Sequence, residues 1–247
     1  MTKRAYALDA LRGYAIITMV LSATVAWNSL PGWMYHAQTP PPDRAFDASL
    51  SGITWVDLVF PFFLFAMGAA FPFSIKKRFE KGDTKLRLVY EAIKRGAQLT
   101  FFAIFIQHFY PYMLSSPQDM RAWLLAILCF VVLFPMFMRI PLKMPDWAHT
   151  SIKVGAYIVA AIMLATTSYA DGKTFSLFSS NIIILLLANM AIFGSILYIF
   201  TMNNRWIRLG ILILLMAMIL GSTVDGSWTQ SVFNYTPLPW MYRFDYL

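Results

Sequence analysis

The sequence predicts an all-α fold: a polytopic bundle of about seven transmembrane helices with a cytoplasmic N-terminus. Three observations carry this expectation. Hydrophobic residues make up 59% of the chain and charged residues only 13%, a balance that does not describe a soluble surface. Several windows of about 17 to 23 residues are almost free of charge, the length that crosses a hydrocarbon core of about 30 Å at about 1.5 Å per helical residue. The basic residues fall mostly into alternate loops, which orients the bundle.

The first span is read at 13–30, directly after Arg12. MTKR followed by an apolar run ending in ATVAW has the outline of a signal peptide. Arg12 extends the charged region too far for that, and removing the segment would upset the alternation of every later loop, so it is expected to stay. Residues 31–52 form an outer loop containing WMYHAQTPPPDRAF, where His36 follows an apolar run and precedes three consecutive prolines. The second span, 53–75, opens on Thr54-Trp-Val-Asp57, the spacing of a capping box, and carries Pro61 and Pro72, which predict kinks.

The loop KKRFEKGDTKLRLVYEAIKR, 76–95, holds eight Lys or Arg and is read as a topogenic segment beside anionic headgroups, not as a nucleic-acid surface. The third span, 96–115, places His108 where Gln107 and Tyr110 can share a polar pocket. The fourth, 122–138, contains Pro135 and the single cysteine, Cys129, read as a buried filler that excludes an intramolecular disulfide and a thiolate metal site. His149 is expected in an inner loop before the fifth span, 154–170. The sixth, 181–201, carries Asn189, either an interhelical hydrogen-bonding group, the favoured reading, or a cavity lining. The seventh, 209–224, precedes PLPWMYRFDYL, which reads as the approach to a further helix. One domain over 1–247, incomplete at its C-terminal end, is therefore expected.

With the N-terminus inside, sixteen of the 20 basic residues lie on the inner side, and only Arg44, Arg121, Lys173 and Arg243 lie outside. That asymmetry accounts for the net charge of +8 without a nucleic-acid partner. It also places His36 on the outer face, with Asp57 about one turn into the second span on the same face.

Asp57 has two readings. A carboxylate in a first helical turn complements unpaired N–H groups and the positive helix end, which makes it a cap. The loop from Pro31 to Gly52 also returns His36 to the membrane face of Asp57, so a hydrogen bond between them is feasible. A carboxylate on one imidazole nitrogen fixes the tautomer and raises the basicity of the other, the arrangement of a general base. For His36 alone, a place among the interfacial aromatics Trp33 and Tyr35 competes with that role. No HExxH, CxxC, GxSxG, Walker-type loop or GxGxxG before a helix is found, so metalloprotease, ester hydrolase, nucleotidase and Rossmann functions receive no support and no metal is expected.

ALDALRGYAIITMVL, the outer WMYHA and GITWVDLVFPFFLFAMG together resemble the heparan-α-glucosaminide N-acetyltransferase family, most specifically in the DLVFP segment and over residues 7 to 78. The resemblance implies transfer of an acetyl group from cytoplasmic acetyl-CoA, as co-substrate, to an amino sugar or related glycan on the luminal or periplasmic side. The family's active histidine matches His36, and the acidic residue of its DLVFP motif matches Asp57. Some relatives use an asparagine in the first span. The corresponding positions here read Ser22, Ala23 and Thr24, and Asn28 is the nearest candidate for acceptor binding.

Arg12 and Arg95, at the inner ends of the first and third spans, are candidates for the coenzyme phosphates, with topogenic anchoring as the other reading. A bacterial inner membrane is the expected location, with the lipid bilayer, a small-molecule or glycan acceptor and, as one option, a second copy in a homodimer as partners. The alternative function is a proton-coupled transporter or flippase of a sugar or lipid-linked sugar, with His36 and Asp57 as its gate; the internal repeat expected of one is not found.

Overall fold

The structure is a computed structural model that describes residues 6–25, 29–40, 42–43, 45–47, 49–138, 144–236 and 238–241. Every regular element among the described residues longer than a single bridge is helical. Among the described residues ten α-helices follow in order: α1 Tyr6–Thr24, α2 Trp55–Phe71, α3 Lys77–Glu80, α4 Lys85–His108, α5 Pro111–Leu114, α6 Met120–Phe137, α7 Asp146–Thr166, α8 Ile182–Thr201, α9 Arg205–Gly221 and α10 Trp228–Phe233. A π-helical segment, Pro72–Lys76, joins α2 to α3, so the chain runs helically from Trp55 to Glu80. Its position has a local cause: Pro72 has no N–H for the preceding turn and its ring displaces that turn's carbonyl, which favours a widened turn.

Four of these helices are long and apolar enough to cross a membrane: Trp55–Glu80, Met120–Phe137, Asp146–Thr166 and Ile182–Thr201. They expose apolar side chains that water would not tolerate in such density. On α6 alone Leu124, Ile127, Phe130 and Phe134 are all more than half exposed, as expected where the surrounding solvent is lipid.

The other three expected spans meet different ends. α1 stops at Thr24 and carries Asp9 and Arg12 in its first half. α4 opens on KLRLVYEAIKR and stops at His108, because Tyr110 is extended ahead of Pro111, which starts α5 as a separate turn. α9 has 17 residues and ends at Gly221. His149, expected in a loop, lies in the first turn of α7, which begins already at Asp146.

The chain divides into two compact units. The first comprises Met1–Ile93 and Met190–Leu212, the second Lys94–Asn189 and Ile213–Leu247. In the first, α1 packs on α2, burying Ala15 and Thr18 of α1 and Val56, Val59 and Ala66 of α2. Phe71 at the end of α2 lies 6.2 Å from the Tyr198 ring and close over Gly194, where an added Cβ would meet its ring at 3.1 Å. Glycine is what lets the α8 backbone sit against that ring.

The second unit has the larger aromatic core. Phe105 of α4 and Phe109 just after it, Cys129, Val132 and Met136 of α6, and Ala156, Ala160 and Met163 of α7 form one buried cluster. Ala122, Ala156 and Ala160 are the small residues that let α6 and α7 approach closely. Asp119 starts α6 by accepting the Ala122 N–H at 2.8 Å, and that backbone donor, foremost among several, holds its carboxyl below the usual aspartate range.

Candidate functional site

The site lies in the first unit, where the loop after α1 meets the first turn of α2. A short 3-10 turn, Gly32–Met34, brings the chain to Tyr35, whose ring is buried and whose hydroxyl accepts the Leu30 N–H at 3.2 Å. Past His36 the chain turns at Thr39, whose N–H and hydroxyl both donate to the His36 carbonyl, at 3.0 and 2.9 Å. The return strand of the loop is tied back by the Asp47 N–H to the Gln38 carbonyl at 2.8 Å and by the Gln38 side chain to the Leu50 carbonyl at 3.3 Å. The Ser49 hydroxyl and N–H, in that order, hold the Asp47 carboxyl below its ordinary range within this turn. Gly52 closes the loop at φ +147°, with Ala37 Cβ 3.5 Å from where its own Cβ would stand.

Asp57 joins the two ends of this loop with its two oxygens. Oδ1 accepts from His36 Nδ1. Oδ2 accepts the Thr54 N–H at 2.8 Å and the Ala37 N–H at 3.2 Å, and the Thr54 hydroxyl stands 3.0 Å away. The two sequence readings of Asp57, helix cap and histidine partner, therefore hold together: one oxygen serves the helix start and the other the imidazole. Pro61, one turn further on, has no N–H to give the Asp57 carbonyl, so α2 is irregular from its first turn.

With Nδ1 donating to a carboxylate, the imidazole is held in the tautomer whose lone pair is on Nε2. Nε2 bonds to none of the described residues, and the His36 side chain is 60% exposed while that of Asp57 is 19% exposed. Beside this pair stands an aromatic cluster. The Trp55 indole N–H donates to the Tyr14 hydroxyl at 2.8 Å, and the Trp55 ring meets Tyr14 and Trp33 edge-on at 6.0 and 6.1 Å. The start of α2 thus lies beside Tyr14 of α1.

A family model for a domain of unknown function (DUF5009) matches residues 4–247. The chain belongs to the DUF5009 family. No curated protein and no solved structure matches it.

In this DUF5009 chain none of the other residues singled out from sequence has a hydrogen bond to His36 or Asp57 among the described residues. Asn28 lies outside the described residues. Arg12 is partly buried on α1, and its Nε is enclosed without a hydrogen-bond partner among the described residues. Arg95 is exposed on α4 and belongs to the other compact unit. His108 does not share a polar pocket with Gln107 and Tyr110: it is 1% exposed, its Nδ1 donates to the Ile104 carbonyl at 2.8 Å, and its Nε2 accepts the Ser176 N–H at 3.2 Å. Asn189 gives its amide N–H groups to Leu185 of its own helix and to the Met241 carbonyl, each at 2.9 Å, so its long-range bond reaches the C-terminal segment and not another span. Among the described residues no group of three His, Cys, Asp or Glu is placed to hold a metal ion.

Sequence reasoning passed over two contributors. Thr54 entered only as a helix cap, although its hydroxyl also reaches the Tyr35 carbonyl. Tyr14 has no periodic or motif signal of its own, and only the packing of α1 on α2 reveals its bond to Trp55.

Proposed function

We propose that this DUF5009 chain is a membrane-bound acyltransferase related to the heparan-α-glucosaminide N-acetyltransferases it resembles, moving an acetyl group from acetyl-CoA to an amino sugar or related glycan. The observation that carries the reading is the His36–Asp57 hydrogen bond on a largely exposed imidazole whose Nε2 bonds to none of the described residues. His36 Nε2 removes the proton of the acceptor amine as its nitrogen attacks the thioester carbonyl. The carbon–sulfur bond breaks, and the imidazolium returns the proton to the departing thiolate. Asp57 stabilises the imidazolium between these steps. Attack by Nε2 itself, giving an acetyl-imidazole that the amine then resolves, uses the same geometry.

The topology belongs to the same proposal. α1, the apolar half of α4 and α9 cross the bilayer together with the four longer helices, giving seven spans, a cytoplasmic N-terminus and a bacterial inner-membrane location. The basic segment Lys76–Arg95 then stays inside, and His36 faces the periplasm. Arg12 and Arg95 are the candidate partners of the coenzyme phosphates. The enclosed Arg12 Nε supports Arg12 in particular, because an unpaired guanidinium N–H gains from an anionic ligand.

The test is transfer across sealed proteoliposomes. With labelled acetyl-CoA on the side of the basic loop and a panel of amino sugars on the other, the protein is expected to yield N-acetylated sugar. Release of label only as acetate, or proton-driven sugar movement without acetylation, would refute the proposal; the latter outcome would identify a transporter.

A further inference from the structure

The peptide groups on both sides of His36 are tied to the first turn of α2. On one side the Tyr35 carbonyl accepts from the Thr54 hydroxyl at 2.5 Å, and on the other the Ala37 N–H donates to Asp57 Oδ2 at 3.2 Å. Thr54 takes part in both attachments. Its N–H donates to Asp57 Oδ2 at 2.8 Å, and its hydroxyl oxygen lies 3.0 Å from that same atom.

The proton count gives the hydroxyl its direction. A carbonyl can only accept, so the single Thr54 hydroxyl hydrogen goes to Tyr35, and the carboxylate is held chiefly by the two backbone N–H groups. A helix cap needs none of this. For capping, the Thr54 side chain needs only to accept from the helix's own N–H groups. Thr54 and Asp57 do stand as the two members of a capping box, but the Thr54 hydroxyl hydrogen is not used in it and goes to the chain entering His36.

We propose that Thr54 is a positioning residue for the His36–Asp57 pair: its hydroxyl fixes the backbone that carries the imidazole at the distance where Nδ1 meets Asp57 Oδ1. The proposal deepens the acyltransferase reading and rests on it for the effect on turnover, but not for the geometry. Without the hydroxyl, the Tyr35 carbonyl loses its bond to Thr54 and the peptide before His36 is tied less closely to the first turn of α2. The imidazole is more than half exposed and has little other packing to hold its ring in place.

Thr54→Val keeps the shape and the backbone N–H and removes only the hydroxyl; Thr54→Ser restores it. The experiment uses the full chain in lipid nanodiscs with 15N-labelled histidine and reads two quantities. The first is the His36 Nδ1–H proton resonance, expected far downfield in the native protein and in Thr54→Ser, and lost to exchange with water in Thr54→Val. The second is acetyl transfer: Thr54→Val is expected to lower kcat by about 10- to 100-fold with KM for acetyl-CoA unchanged, while Thr54→Ser stays near native. If the valine variant does not fold, Thr54→Ala carries the same expectations. A retained Nδ1–H resonance with native kcat in the hydroxyl-free variant overturns the proposal. If the native protein transfers no acetyl group, the acyltransferase reading falls, and the resonance alone still decides the role of Thr54.

Discussion

His36 and His108 are both held at Nδ1 by an oxygen acceptor, but their surroundings leave the two rings differently engaged. His108 is enclosed by Tyr169 and Phe175, with ring centroids 5.3 and 5.0 Å away, and spends its second nitrogen on the Ser176 backbone. Both ring nitrogens are satisfied by neutral backbone groups, so the ring is a rigid connector between α4 and the segment after α7. His36 has a carboxylate partner, an exposed ring and a second nitrogen that no described residue occupies. On the proposed function, the number of free nitrogens and the charge of the partner, not the residue type, separate a structural imidazole from a reactive one.

The contrast breaks most visibly at His36. His36→Ala is expected to reduce acetyl transfer by about 10²- to 10⁴-fold, the range of a positioned general base, while the thermal midpoint stays near native because the side chain is largely exposed. His108→Leu should do the reverse. The Ser176 N–H loses its acceptor, costing about 1–3 kcal/mol, which a lowered thermal midpoint in detergent would report, while transfer per folded molecule stays native.

Asp57→Asn sharpens the distinction between the two oxygens of that side chain. The asparagine side-chain oxygen can still accept the Thr54 and Ala37 N–H groups, so stability changes little, whereas a neutral amide no longer supports an imidazolium and transfer falls by about 10²-fold. A fall in thermal midpoint matching the fall in activity would mean that Asp57 is only a cap. The smallest expected effect lies in the second unit. Because Asp119 has a depressed folded value, its contribution to stability is present above the ordinary aspartate value of about 3.9 and is lost as pH falls through the folded value. Asp119→Asn should flatten the acid limb of the thermal-midpoint profile without altering transfer.

The parts of this arrangement carried by short-range rules were readable from sequence. Thr54 and Asp57 stand three residues apart at a helix start, and the return of the 31–52 loop already put His36 within reach of Asp57. Low charge over a spanning length marked 53–75, 122–138, 154–170 and 181–201, and these overlap the helices Trp55–Glu80, Met120–Phe137, Asp146–Thr166 and Ile182–Thr201. Interactions depending on how separate helices are set against each other left no mark in the sequence. Trp55 meets Tyr14 only through the register of α1 on α2, and His108 meets Ser176 across 68 residues of chain with no periodic signal. Helix ends were the other weak point: Pro111 divides a continuous apolar run, and α1 begins before its charged residues instead of after them.

The most direct measurement compares kcat for acetyl transfer in His36→Ala and His108→Leu proteins reconstituted at equal folded amounts with the same labelled acetyl donor and amino sugar. The account predicts that His36→Ala loses at least about a hundredfold and His108→Leu stays within about twofold of native. Native turnover in the His36→Ala protein would contradict it.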